Sequence, residues 1–177
     1  EDPSTVYFNP AGMTSLPGTQ IQAGVNHLVP QAELTDTGST FPGGLPAGDD
    51  GGNPYDPTPV PNGYLSHEVG HGLWAGLGVT APFGLANDYG DDWFGRFDST
   101  KTELTTIDLQ PTLAYEISEF LSIGGGLNIQ YADAELESAI FAGSEGITDL
   151  SGDDWSYGYT VGLQLRPTSA TTFGASY

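Results

Sequence analysis

A chain of 177 residues is long enough to bury a core, yet 3 basic residues against 23 acidic ones leave a formal net charge of −20. So few cations exclude grip on nucleic-acid phosphates or on an anionic lipid surface, while 11% aromatic residues exceeds what a disordered acidic chain carries. The lack of cysteine excludes disulfides and thiolate metal sites, and no run of about 18 apolar residues offers a transmembrane helix. A transmembrane strand stays open, because only its alternate residues need be apolar.

In chain order, Ile21 to Val29 shows weak alternation and Tyr64 to Val69 is short and mixed. Leu73 to Phe83 alternates cleanly, with Leu73, Ala75, Leu77, Val79, Ala81 and Phe83 on one face. Ile107 to Ile117 sets Ile107, Leu109, Leu113, Tyr115 and Ile117 against Asp108, Gln110, Thr112, Ala114 and Glu116. Leu121 to Tyr131 and Trp155 to Leu165 repeat the pattern, and Thr171 to Tyr177 begins a further strand. Each candidate is about ten residues long, enough to cross a bilayer when tilted.

The connections separate a membrane barrel from a soluble sandwich. Long links at 30–61, 84–101 and 138–153 take turns with short ones near Gly70–Gly72, Ser118–Phe120 and Pro167–Ala170. Outer-membrane barrels alternate in this way, with short periplasmic turns and long external loops. Seventeen of the 23 acids fall in 30–61, 84–103 and 133–154, away from any lipid-facing stripe. Trp93 and Trp155 each follow Gly-Asp-Asp, which reads as an aromatic girdle. The expected fold is all-β, an antiparallel transmembrane β-barrel of which this chain supplies about seven strands. Seven strands leave two open edges, which a bilayer does not tolerate, so the chain reads as the N-terminal part of a longer barrel.

Three ordered stretches carry a family resemblance. Ser4-Thr5-Val6-Tyr7-Phe8-Asn9-Pro10-Ala11-Gly12-Met13 resembles the hatch segment, with its Asn-Pro-Ala motif, of the outer-membrane long-chain fatty acid and hydrocarbon transporters (FadL type). Gly78 to Ala86, followed by Asp91-Asp92-Trp93 and Gly95-Arg96-Phe97, is a second match, and Leu121 to Ala134 a third. The resemblance implies a fourteen-stranded barrel in the bacterial outer membrane, plugged by a hatch. Residues 1–17 would end that hatch and 18–177 would form the first half of the barrel. It implies passive uptake of hydrophobic compounds, fatty acids or hydrocarbons, with lateral exit through a kinked third strand. No cofactor and no enzymatic activity are expected, and the complete protein would be a monomer amid outer-membrane lipid and lipopolysaccharide. Asn9, Pro10 and Ala11 form the hatch motif, and Pro82, Phe83 and Gly84 the candidate lateral opening. Phe8, Met13 and Trp74 are candidates for the ligand path. For Asn9-Pro10-Ala11 a rigid turn is the plainer reading, and Pro82 alone could simply end its strand.

Two other function classes compete. His67-Glu68-Val69-Gly70-His71 matches H-E-x-x-H, which on a helix holds zinc between two histidines one turn apart. Gly70 and Gly72 disfavour a helix, and the extended motif's further glycine and histidine are replaced by Trp74 and Leu77. Val69 to Gly72 therefore reads as the tight turn between the second and third strands, with the two histidines flanking it. Paired acids, Asp49-Asp50, Asp91-Asp92 and Asp153-Asp154, suggest a secreted Ca²⁺-binding adhesin, though none has the helix-loop-helix spacing. Arg96 and Lys101 are expected to pair with neighbouring carboxylates, and Asp108 and Glu116 to line a polar lumen.

Overall fold

The computed structural model describes residues 1–177 as one curved antiparallel sheet, with a short N-terminal segment packed on its concave face. The strands are β1 (Thr19–Leu28), β2 (Thr58–Gly70), β3 (Leu73–Thr80), β4 (Gly84–Asp88), β5 (Lys101–Ser118), β6 (Leu121–Phe141), β7 (Glu145–Thr168) and β8 (Thr171–Ser176). Hydrogen-bonded neighbours run β1-β2-β3-β5-β6-β7-β8, and β4 pairs with β5 as a continuation of β3. Seven positions across the sheet are thus filled by consecutive strands, the half-barrel the alternation called for.

The sheet is inside-out relative to a soluble domain. Along β5 the even residues Thr106, Asp108, Gln110, Thr112 and Ala114 are buried on the concave side, while Ile107, Leu109, Leu113, Tyr115 and Ile117 are exposed. Leu127, Tyr157, Tyr159, Val161 and Ile21 continue the exposed apolar face on neighbouring strands. A continuous apolar surface of this extent is stable against hydrocarbon and not against water. No helix is long and apolar enough to cross a membrane; the crossing elements are strands.

Short turns gather at one end. His71 and Gly72 join β2 to β3, both with positive φ (56° and 76°), as a two-residue type I′ hairpin turn requires. His67 and Glu68 are adjacent strand residues and point to opposite faces. His67 Nδ1 lies 2.7 Å from Thr19 Oγ1, and Glu68 accepts from the Gly18 amide at 3.1 Å. The helical geometry that zinc catalysis needs is therefore not formed, and no three His, Asp or Glu side chains converge on a metal position. Because Asn-Gly is the preferred type I′ pair, His71→Asn should add about 0.5 kcal/mol. The thermal midpoint at which the complete protein loses its fast-migrating form on gels would show the gain.

At the other end the structure redraws the expected loops. The first is shorter, because β2 begins at Thr58, and the second contains β4. The segment 138–153 is no long loop: β6 and β7 stay in register from Leu121↔Leu165 to Phe141↔Glu145, leaving only a tight turn at 142–144. Polar and acidic composition marked these residues as a loop, but a strand pair standing above the bilayer in water can be polar on both faces. Strands of 18, 21 and 24 residues replace the ten-residue estimate, since only their inner portions meet lipid.

The long-loop end is locked by Arg96. Its guanidinium, 3% exposed, pairs with Glu145 and donates to the carbonyls of Pro46, Ala47 and Trp93. It also lies over the neighbouring rings of Phe41 and Phe97, 5.1 and 5.0 Å from their centroids. Trp93, expected in a girdle, is instead buried beside it, stacked on Tyr89 at 3.9 Å and donating to the Ser99 carbonyl. Trp155, by contrast, stays half exposed on the outer face against Tyr131. Arg96→Met should cost roughly 3 kcal/mol locally by stranding Glu145 and three carbonyls. Limited proteolysis of intact cells should then cut within 30–57, where the native protein resists.

Candidate functional site: a plugged wall with an interrupted strand

The N-terminal segment comprises α1 (Thr5–Phe8) and a 3₁₀ stretch, Pro10–Ser15. Asn9 joins them: its Oδ1 accepts from the Ala11 amide at 3.2 Å and its Nδ2 donates to the Leu163 carbonyl of β7 at 3.2 Å. Pro10 follows at the first helical position, where its missing N–H costs nothing. The Asn-Pro-Ala stretch is therefore both a rigid turn and a contact with the wall.

Glycines form the seat beneath it. Gly124 and Gly162 face each other across β6 and β7 on the concave side. A Cβ on Gly124 would come within 2.6 Å of the Pro10 carbonyl carbon and the Ala11 nitrogen, and one on Gly162 would collide with the Asn9 carboxamide. On β3, a Cβ on Gly76 would stand 2.6 Å from Met13 Sδ and 2.9 Å from Val6. Flat strand surface at these three points admits the Pro10–Ala11 backbone over Gly124, the Asn9 carboxamide over Gly162, and the Met13 and Val6 side chains over Gly76. Val6, Met13, Trp74 and Ala114 fill the contact, and the Trp74 indole donates to the Leu16 carbonyl at 2.9 Å. Thr14 donates to Ser122 at 2.8 Å, Gln110 to the Val6 carbonyl at 3.2 Å, and Arg166 reaches Ser15 and Ser122. Of the three ligand-path candidates, Met13 and Trp74 thus lie sealed in this joint, 0% and 6% exposed. Their apolar surface is spent on holding the segment. Phe8, 64% exposed and edge-on to Tyr7, alone projects free.

The wall itself is broken near the long-loop end. Pairing of β2 with β3 stops at Asn62↔Thr80, and β4 pairs with β5 alone. Between Thr80↔Asp108 and Gly84↔Thr105, the three residues Ala81, Pro82 and Phe83 stand against Thr106 and Ile107. One inserted residue reverses the side-chain phase, so β3 points Leu77 and Val79 outward while β4 turns Leu85 inward, opposite Leu104. The Thr106 hydroxyl bridges the irregularity, donating to the Phe83 carbonyl and accepting from its amide at 2.9 Å. On the far side, β2 residues Thr58 to Pro61 pair with β1 only. Continuing the β2–β3 register would set Pro61 against Ala81, Val60 against Pro82 and Pro59 against Phe83. Three prolines remove three N–H donors from that stretch, and a ladder cannot form there. Pro82, Phe83 and Gly84 therefore border an unzipped seam between two strands, with Phe83 61% exposed.

A polar-lined, outward-apolar half-barrel with a short N-terminal segment on its concave face and a seam in its wall defines a transmembrane β-barrel of the outer-membrane type. The chain belongs to the family described as Outer membrane protein transport protein (OMPP1/FadL/TodX), whose model matches residues 1–177. It is 24% identical over 204 residues to the Long-chain fatty acid transport protein of Escherichia coli O6:H1, covering 100% of this chain and 44% of that one. It is 28% identical over 149 residues to Outer membrane protein P1 of Haemophilus influenzae, covering 67% of this chain and 32% of the relative. The crystal structure of a Pseudomonas aeruginosa FadL homologue superposes with a TM-score of 0.82 at 23% identity, over 98% of this chain and 46% of that one. A monoaromatic hydrocarbon channel, the TodX deltaS2S3 mutant, superposes with a TM-score of 0.71 at 17% identity, over 97% of this chain and 49% of that one. The chain spans less than half the length of these relatives. Family membership places it in the bacterial outer membrane, which sets aside the secreted adhesin.

Proposed function

We propose that the complete protein is an outer-membrane channel for passive uptake of hydrophobic compounds, long-chain fatty acids or hydrocarbons, with lateral exit through the wall. The observation that carries this reading is the seam: β2 and the β3–β4 strand part beyond Asn62↔Thr80, next to an inward apolar pair, Leu85 and Leu104. A polar solute has no reason to leave through such a gap, since it would enter hydrocarbon; an apolar one gains by doing so. In this reading Asn9-Pro10-Ala11 seats a plug, Phe8 lies on the ligand path, and Pro82, Phe83 and Gly84 frame the exit. The full barrel would have fourteen strands and act as a monomer, its acidic loops facing lipopolysaccharide. The names of relatives agree, one being a long-chain fatty acid transport protein and another a hydrocarbon channel.

The test is expression of the complete reading frame in an outer-membrane host that lacks its own channel of this family. Saturable uptake of a labelled long-chain fatty acid or hydrocarbon is expected. An uptake rate equal to the empty host's, with the barrel folded by heat modifiability on gels, would contradict the proposal.

A further inference from the structure

Thr80 and Asp108 are register partners on β3 and β5, both on the concave side, immediately beside the interruption. They are 8% and 3% exposed, and each carries an oxygen with no hydrogen-bond partner: Oγ1 of Thr80 and Oδ1 of Asp108. The other carboxylate oxygen accepts from Asn128 Nδ2 at 2.9 Å; that amide also donates to Gln110 Oε1 at 3.1 Å and accepts from Thr160 Oγ1 at 2.9 Å. This network fixes the Asp108 carboxylate while leaving Oδ1 unused. Tyr7 of the N-terminal segment lies beside both groups, its hydroxyl directed at the Thr80 side chain and close to the Asp108 carboxylate; were Thr80 to accept from Tyr7, its own O–H would stay free to donate. An enclosed acceptor without a donor is costly, and a fold retains one where something else supplies the donor.

The surroundings say which donor fits. Toward the long loops the concave face of this strand pair carries one apolar rung, Leu85 opposite Leu104, roughly 13 Å along the strand from Asp108, between Thr106 and the polar pair Asn87 and Thr102. A polar foot at Thr80 and Asp108 and an apolar rung at Leu85 and Leu104 thus share the concave face along the seam, about the length of an extended alkyl chain apart. The three cations of this chain are all engaged elsewhere: Arg96 in the loop clamp, Lys101 on Glu103 and Glu135, and Arg166 on Ser15, Ser122 and Glu116. This wall therefore offers an ionised carboxylate head no counter-charge, and Asp108 repels it.

We propose that Thr80 and Asp108 form a subsite for the hydroxyl head of a neutral amphiphile, a long-chain alcohol or an alkylphenol. The ligand O–H donates to Asp108 Oδ1, its oxygen accepts from the Thr80 hydroxyl, and its chain lies along Leu85 and Leu104. The assignment rests on the channel reading and sharpens it, because it ranks cargo by head group.

The experiment measures binding of 1-dodecanol, laurate and dodecane to the complete protein in detergent at about pH 8, where laurate is ionised. Dodecanol should bind about tenfold more tightly than laurate. Thr80→Val should weaken dodecanol about fivefold and leave dodecane unchanged, while Asp108→Asn should narrow the gap between dodecanol and laurate. Heat modifiability certifies each variant's fold, and Thr80→Val alone decides if Asp108→Asn does not assemble. Laurate binding as tightly as dodecanol, or Thr80→Val weakening dodecane and dodecanol alike, overturns the subsite and leaves the channel standing. Binding of none of the three overturns the channel reading itself.

Discussion

Deleting Pro82 and replacing Pro59 and Pro61 with Val in the complete protein should abolish uptake while making the barrel more stable. The deletion removes the one residue by which Ala81-Pro82-Phe83 exceeds Thr106-Ile107, so the β3–β4 strand can run in one register along β5. The two valines return N–H donors to β2 where it now pairs with β1 alone. Closing the seam adds about three ladder hydrogen bonds at roughly 1 kcal/mol each, and more where lipid offers no competing partner. The thermal midpoint of the folded form should therefore rise as uptake falls at least about tenfold. That opposite movement distinguishes a blocked exit from a damaged protein, because damage lowers both. Unchanged uptake in a stabilised variant would show that cargo leaves elsewhere.

The second large effect is expected at the glycine seat. Gly124→Leu would put a side chain where the Pro10 and Ala11 backbone now rests, 2.6 Å from an added Cβ. Backbone anchored by Asn9 to β7 cannot yield by a rotamer change, so the segment must lift as a unit. It would lose the Thr14–Ser122 and Trp74–Leu16 bonds and the packing of Val6 and Met13, together about 3 kcal/mol or more. The plug would then be displaced from an otherwise intact barrel. Cells expressing the variant should admit large polar antibiotics that the native channel excludes. Gly152→Leu is the control, since its Cβ meets nothing within 4 Å. Equal antibiotic resistance in both variants, each folded, would mean the segment does not seal the lumen.

Strand order and the membrane-facing stripes were legible in the sequence because alternation survives wherever one face meets lipid. The turn at His71-Gly72 was legible too, since Gly70 and Gly72 on either side of His71 argue against a helix and for a tight turn. What escaped has particular causes. Pro59 and Pro61 hid the first half of β2: prolines argue against a strand unless one edge is free, and that free edge is the seam itself. The upper parts of β6 and β7 lie above the bilayer, so no apolar stripe marked Leu136 to Leu150 as paired strand. Trp93 resembled a girdle residue because local sequence does not show that Asp49 of a distant loop bridges to it. The seat escaped because Gly76, Gly124 and Gly162 read as mere weak points in their strands. Their common role appears only when the N-terminal segment is laid across them. A signal was present all the same: each falls at a concave-facing position of a strand. Nothing in the sequence separates free Phe8 from the sealed pair Met13 and Trp74 among the ligand-path candidates, because the packing that seals the pair comes from the N-terminal segment laid on the sheet.

The central claim is that hydrophobic cargo passes between β2 and the β3–β4 strand. Photolabelling tests it most directly, using the complete protein in native outer membrane and a long-chain alcohol that carries a diazirine near its tail. The account predicts saturable labelling, competed by unlabelled alcohol, in the peptides containing Pro59 to Pro61 and Ala81 to Leu85. Competable labelling confined to the short-turn end, around Gly70–Leu73 and Ser118–Leu121, with none at the seam, would contradict it.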